Sequence, residues 1–166
     1  EPKAHSVRDA IAEINPDVRV TPVLHRADDA LLDDLVPQAD VVLDCTDNFA
    51  TRHAINRACV THKKPLVSGA AIGFDGQVSV FDPRVEASPC YHCVYPDDQN
   101  YEETSCALMG VFAPIVGIIG ATQAAEALKV LIGCGDPLVG RLLLLDGLSM
   151  EWKRNTACAV CGDASA

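Results

Sequence analysis

Two CxxC pairs are the strongest chemical signal in the sequence: Cys90 and Cys93 in SPCYHCVYP, and Cys158 and Cys161 in NTACAVCGD. A structural zinc takes four tetrahedral ligands, and each CxxC offers two thiolates within one tight turn. The two pairs lie further apart than in a zinc ribbon. Such a site would close across folded structure and clamp the C-terminal tail onto the Cys90 loop. Two disulfides or a redox pair are the competing readings. A redox CxxC opens a helix after a strand, and Pro89 and Pro96 argue against that context. His92 sits between two ligands, but two complete pairs leave it no vacancy.

The segment DCTDN (44–48) ends an apolar run that reads as a parallel strand. Ligands of open α/β sheets bind outside the carboxyl ends of strands. Asp44 and Asp47 are therefore positioned to hold Mg²⁺ on a nucleotide phosphate. Equally, Asp47 or Asn48 could simply cap the helix that follows. Lys3 could reach a polyphosphate, although a lone lysine is usually a solvated charge. Cys106, in YEETSCALMG, is a single thiol whose neighbours Glu102 and Glu103 would raise its pKa rather than activate it. Cys45, Cys59 and Cys134 read as core or helix-end residues. GCGDPLVG (133–140) lacks the third glycine of a dinucleotide loop and follows a helix, so it reads as a helix stop.

The elements that must position these groups alternate. Helical spacing of Val7, Ile11 and Ile14 predicts a helix over 3–14, stopped by Asn15-Pro16. A strand is expected at 18–23, a short helix at 28–36, a buried strand at 39–48 and a helix at 49–62 with Ile55, Ala58 and Cys59 inward. Another buried strand is expected at 65–71. The β–α–β–α–β order predicts an α/β fold, a Rossmann-like and mostly parallel sheet. After Gly69, the alternating GQVSVFD (76–82) predicts an added antiparallel strand, and 141–153 a closing hairpin. Residues 1–71 would form the nucleotide-side half, and 72–166 the antiparallel strands, a long apolar helix and the zinc site, all within one domain. Residues 111–132 are nearly all apolar. Gln123, Glu126 and Lys129 make them a core helix rather than a membrane span.

The chain has 166 residues, 49% hydrophobic and 22% charged, enough for one globular domain. Thirteen Lys plus Arg against 23 Asp plus Glu give a formal charge of −10. That charge opposes general nucleic-acid or anionic-membrane binding. The first residues show no signal-peptide pattern, so eight cysteines are expected in a reducing, cytoplasmic compartment.

In order along the chain stand SVRDAIAEINP, DVVLDCTDNFATRHAIN, PLVSGAA, GQVSVFD, PCYHC, the Ser-Cys at 105–106, GVFAPIVGIIGATQAAEALK and CAVCG. Together they resemble the ThiF/MoeB family over Pro2 to Gly162. These enzymes use MgATP to adenylate the C-terminal glycine of ubiquitin-like sulfur-carrier proteins, releasing pyrophosphate. The resemblance implies that Asp47, with Asn48 beside it, holds Mg²⁺ and ATP, and that Lys3 contacts the phosphates. It also implies that Cys90, Cys93, Cys158 and Cys161 bind a structural zinc, and that Cys106 takes part in sulfur transfer in thiamine-pathway members. YPDDQNYEETSC and LLLLDGLSMEWK are closer to that branch than to the molybdopterin one. A homodimer is implied for the full-length enzyme. The family's glycine-rich turn, ribose-binding acid and ATP-site arginines are missing from this sequence. The chain is therefore expected to be the C-terminal portion of a longer enzyme, inactive alone. A non-catalytic zinc-stabilised carrier-binding module is one alternative, and half of an NAD-dependent oxidoreductase another.

Overall fold

A computed structural model of the chain describes residues 2–97 and 110–149. Helix α1 (Lys3–Ile14) ends where Asn15 caps it, immediately before Pro16. Its apolar stripe buries nothing: Val7 is 55% and Ile14 85% exposed. Residues 18–23 join no strand of the described sheet, contrary to the sequence expectation. A β-branched run becomes a strand only when a neighbour accepts its ladder bonds, and here Val18 remains exposed.

Helix α2 (Asp29–Leu35) starts at Asp28, whose side chain accepts from the Leu31 amide at 3.0 Å. A 3₁₀ turn (Val36–Gln38) leads into β1 (Val42–Asp44). Helix α3 (Phe49–Thr61) follows, then β2 (Leu66–Ile72) and β3 (Asp75–Phe81). A four-residue helix, α4 (Tyr91–Val94), begins directly after Cys90. The chain closes on α5 (Ala113–Ile132) and β4 (Leu142–Asp146).

The sheet runs β1-β2-β3-β4. Only β1 and β2 are parallel; β2–β3 and β3–β4 are antiparallel. The described sheet is therefore mixed rather than mostly parallel. β1 is shorter than expected and lies at the side of that sheet, which leaves Leu43 exposed. The partner of β4 is β3; the second arm of the expected hairpin lies outside the described residues beyond 149.

Side chains alternate between the two faces of a strand, and adjacent residues of β2 accordingly feed two cores. Leu66 joins Phe81 and Tyr91 under α2 and α3, with Leu32, Ile55, Ala58 and Cys59. Val67 joins Val78 and Val80 under α5, with Ile115, Ile119 and Ala127. Helices thus cover both faces, as an α/β layer requires.

α5 is long and apolar enough to cross a membrane by length and composition, yet its buried stripe carries Gln123 and Glu126. The Glu126 carboxylate accepts from the Leu138 amide at 2.8 Å and pairs with Lys129. The helix stops at Gly133, held at φ 69°, a left-handed turn that glycine adopts without strain. The helix stop expected for GCGDPLVG is therefore what the chain forms.

Candidate functional site

The carboxyl end of β1 is a hydrogen-bonded polar network. Asp44, 1% exposed, accepts through Oδ1 from the Thr46 amide at 2.9 Å and the Thr46 hydroxyl at 2.7 Å. Its Oδ2 accepts from Ser68 Oγ on β2 at 3.4 Å. Arg52, one turn into α3, donates from Nε and Nη2 to the Thr46 carbonyl at 3.1 and 2.6 Å. From the opposite face Gln123 reaches the same strand end. Its Nε2 donates to the Asp44 carbonyl at 2.9 Å and the Val67 carbonyl at 3.3 Å, and Cys45 Sγ donates to its Oε1 at 3.6 Å. Gly69 makes this approach possible, since a Cβ there would run into the Gln123 amide carbon. Burial of the sulfur, and then the Asp44 carboxylate, push the Cys45 thiol up, with Gln123 opposing. Cys45 is thus a strand-end residue and exposed, not a core one.

Of the two candidate carboxylates, Asp44 is consumed by this internal network. Asp47 is exposed and has no hydrogen-bond or ion-pair partner among the described residues. An exposed, unengaged carboxylate at a strand's carboxyl end has the hard oxygen donor that Mg²⁺ takes. Asn48 is the N-cap of α3, its Oδ1 accepting from the Thr51 amide at 2.8 Å. Its side-chain NH₂ is not part of that cap. Lys3 is exposed at the start of α1, and no hydrogen bond or ion pair among the described residues joins it to Asp47.

Cys90 caps the start of α4 and Cys93 lies within it, their Sγ atoms 3.7 Å apart. A zinc–sulfur bond of about 2.3 Å gives a tetrahedral edge of about 3.8 Å, so this pair fits two corners of a thiolate site. Burial alone would raise the Cys90 thiol. Hydrogen bonds from the Cys93 backbone, the Asn56 side chain and their neighbours outweigh it and hold the thiol below its ordinary value. The turn is tied down by α3, where Asn56 Oδ1 accepts from the Tyr91 amide at 2.9 Å. Cys158 and Cys161, the other pair, and Cys106 lie outside the described residues. Cys59 is buried, and burial followed by the Asp44 charge pushes its thiol up to about 12. That rules it out as a nucleophile near neutral pH. Cys134 is exposed just past the end of α5, at a helix end as expected.

Several contributors carry no separate sequence motif: Thr46, Arg52, Ser68 and Gln123 around β1, and His53 and Asp97 beside α4. The readable clue is Gln123, an amide on the buried stripe of a largely apolar helix.

Residues 1–160 match the ThiF family. The chain belongs to the ThiF family. Its relatives include the molybdopterin-synthase adenylyltransferase of Escherichia coli, 43% identical over 98% of this chain and 66% of that protein. The sulfur carrier protein ThiS adenylyltransferase of the same species is also 43% identical, over 99% of this chain and 66% of that protein. The sulfur carrier protein adenylyltransferase of Thermus thermophilus is 44% identical over 98% of this chain and 64% of its own length. The chain therefore spans just under two thirds of the curated relatives it matches. Among solved structures, Escherichia coli MccB with ATP superposes with a TM-score of 0.68 at 18% identity. That match covers 97% of this chain and 51% of MccB. It places the ThiF-family chain in the same α/β fold.

Proposed function

We propose that the chain forms part of an ATP-dependent adenylyltransferase acting on the C-terminal glycine of a ubiquitin-like sulfur-carrier protein. The observation that carries this reading is the free Asp47 carboxylate at the carboxyl end of β1, in a ThiF-family chain whose relatives are named adenylyltransferases. Those relatives are longer, so the activity is proposed for an enzyme of their full length.

In that enzyme a carrier carboxylate attacks the α-phosphorus of ATP and pyrophosphate leaves. Asp47 would hold Mg²⁺, which neutralises phosphate charge when bound. The Asn48 side-chain NH₂ is free to donate beside it. Lys3 would stabilise charge on the leaving pyrophosphate. The Thr46–Asp44–Arg52 network keeps the Asp47 loop in one shape, so little reorganisation accompanies nucleotide binding. Cys90 and Cys93 would hold a structural zinc with Cys158 and Cys161. Cys106 would serve the later sulfur transfer, in line with a thiamine-pathway carrier, in a cytoplasmic homodimer. Exposed Val116, Leu128 and Leu131 on α5 support a subunit contact.

The test is pyrophosphate exchange into ATP by the full-length enzyme. Exchange should depend on a carrier ending in glycine and persist in Cys106→Ala, which should instead lose sulfur transfer. No carrier-dependent exchange would rule the reading out in favour of a carrier-binding module.

A further inference from the structure

Beside the CxxC turn lies a second cluster of ligating groups. His53 on α3, His92 on α4 and Asp97 just after α4 bring their ligand atoms within 4.8 Å of one another. Both imidazoles point Nδ1 at one oxygen: His53 is 2.7 Å and His92 3.1 Å from Asp97 Oδ1. The set is anchored from below. The His53 side chain is only 9% exposed and packs edge-on against Tyr91, ring centres 5.2 Å apart. His92 and Asp97 open to solvent, with side chains 53% and 54% exposed. Arg57, one turn along α3, is engaged by Asp29 at 3.0 Å.

We propose that His53, His92 and Asp97 form a second divalent-metal site, for a zinc-class ion, separate from the thiolate set. Two imidazoles and a carboxylate are nitrogen and oxygen donors suited to zinc and its transition-metal neighbours. Bonds of about 2.1 Å require ligand atoms about 3.4 Å apart, so the His92 contact would open by about 0.3 Å and the His53 contact by about 0.7 Å. Three protein ligands leave one coordination position, which faces the solvent side of His92 and Asp97. The ion would tie α3, whose first residue follows the Asp47 loop, to the turn that carries Cys90 and Cys93. His92 thus gains a role that the four cysteines deny it in their own site.

The test is equilibrium dialysis of the full chain against zinc, counting metal per folded chain. Wild-type should hold two equivalents. Asp97→Asn and His92→Gln, both at exposed positions, should each hold one, and so should His53→Gln wherever circular dichroism shows it folded. The Cys90→Ser/Cys93→Ser variant should keep one equivalent, which Asp97→Asn then removes. His25→Gln should leave the count at two. A metal count unchanged by Asp97→Asn, no metal in the Cys90→Ser/Cys93→Ser variant, or a loss on His25→Gln would overturn the proposal.

Discussion

Asp47 and Asn48 are neighbours with separable duties. Asp47 is exposed and makes no hydrogen bond or ion pair among the described residues, so Asp47→Ala should leave the melting temperature unchanged. Adenylation should fall by about 10²–10³, the loss typical when one electrostatic stabiliser of a transition state is removed. Asn48→Ala should lose the α3 cap and about 1 kcal/mol of stability. Asn48→Ser keeps a capping oxygen, so it should melt like wild type yet bind ATP more weakly if the amide NH₂ meets the nucleotide. Thermal melting beside ATP titration separates the two duties. Asp82 gives a pH prediction. Hydrogen bonds from Arg84 Nε and Nη2, at 2.8 and 2.7 Å, hold this carboxyl below its ordinary value despite its burial. A depressed carboxyl contributes stability that is present above its unfolded value, near 3.9, and is lost as pH falls through the lower folded one. Acid titration of wild type should therefore show this loss below about pH 4, and Asp82→Asn should flatten it.

At the scale of elements, β2 and α5 approach closely at Gly69 and Gln123. Gly69 leaves the space that the Gln123 amide fills. Gly69→Ala should overpack that contact and cost about 1–3 kcal/mol, read by urea unfolding. Gln123→Ala in the same background should relieve part of the clash and make the two changes non-additive. Here the sequence was informative in proportion to its periodicity. The 3.6-residue stripe of α3 could be read directly, whereas the alternation in β3 marks a strand but not an exposed face, since helices cover both sides and Ser79 is buried with Val78 and Val80. The composition of residues 18–23 suits a strand, but a ladder needs a neighbour that composition cannot supply. The Asp44 network was equally invisible, since Ser68 and Gln123 reach it only after the sheet and α5 have come together. The place of DCTDN after an apolar run marks Asp44 and Asp47 equally as candidates, with capping as the competing duty. That Asp44 could not share the task required the structure.

At the scale of the molecule, two cores lie on opposite faces of the described sheet, both fed by β2 and β3. The CxxC turn belongs to the α3 side, through Asn56 and Tyr91. If a thiolate zinc links this turn to the C-terminal tail, chelation should loosen the α3 side first. Treating the chain with a strong chelator should release zinc and lower the melting temperature. Amides of α3 should exchange faster, while β2–β3 amides facing α5 stay protected until global unfolding.

The tight β2–β3 hairpin also sets a schedule. It is complete at Phe81, but the helix that covers Val67, Val78 and Val80 begins only at Ala113, about thirty residues later. At ribosomal speeds of about 5–20 residues per second, that apolar face waits uncovered for a few seconds of synthesis. Between making its hairpin and making α5, the nascent chain thus offers that face as a surface a chaperone would bind.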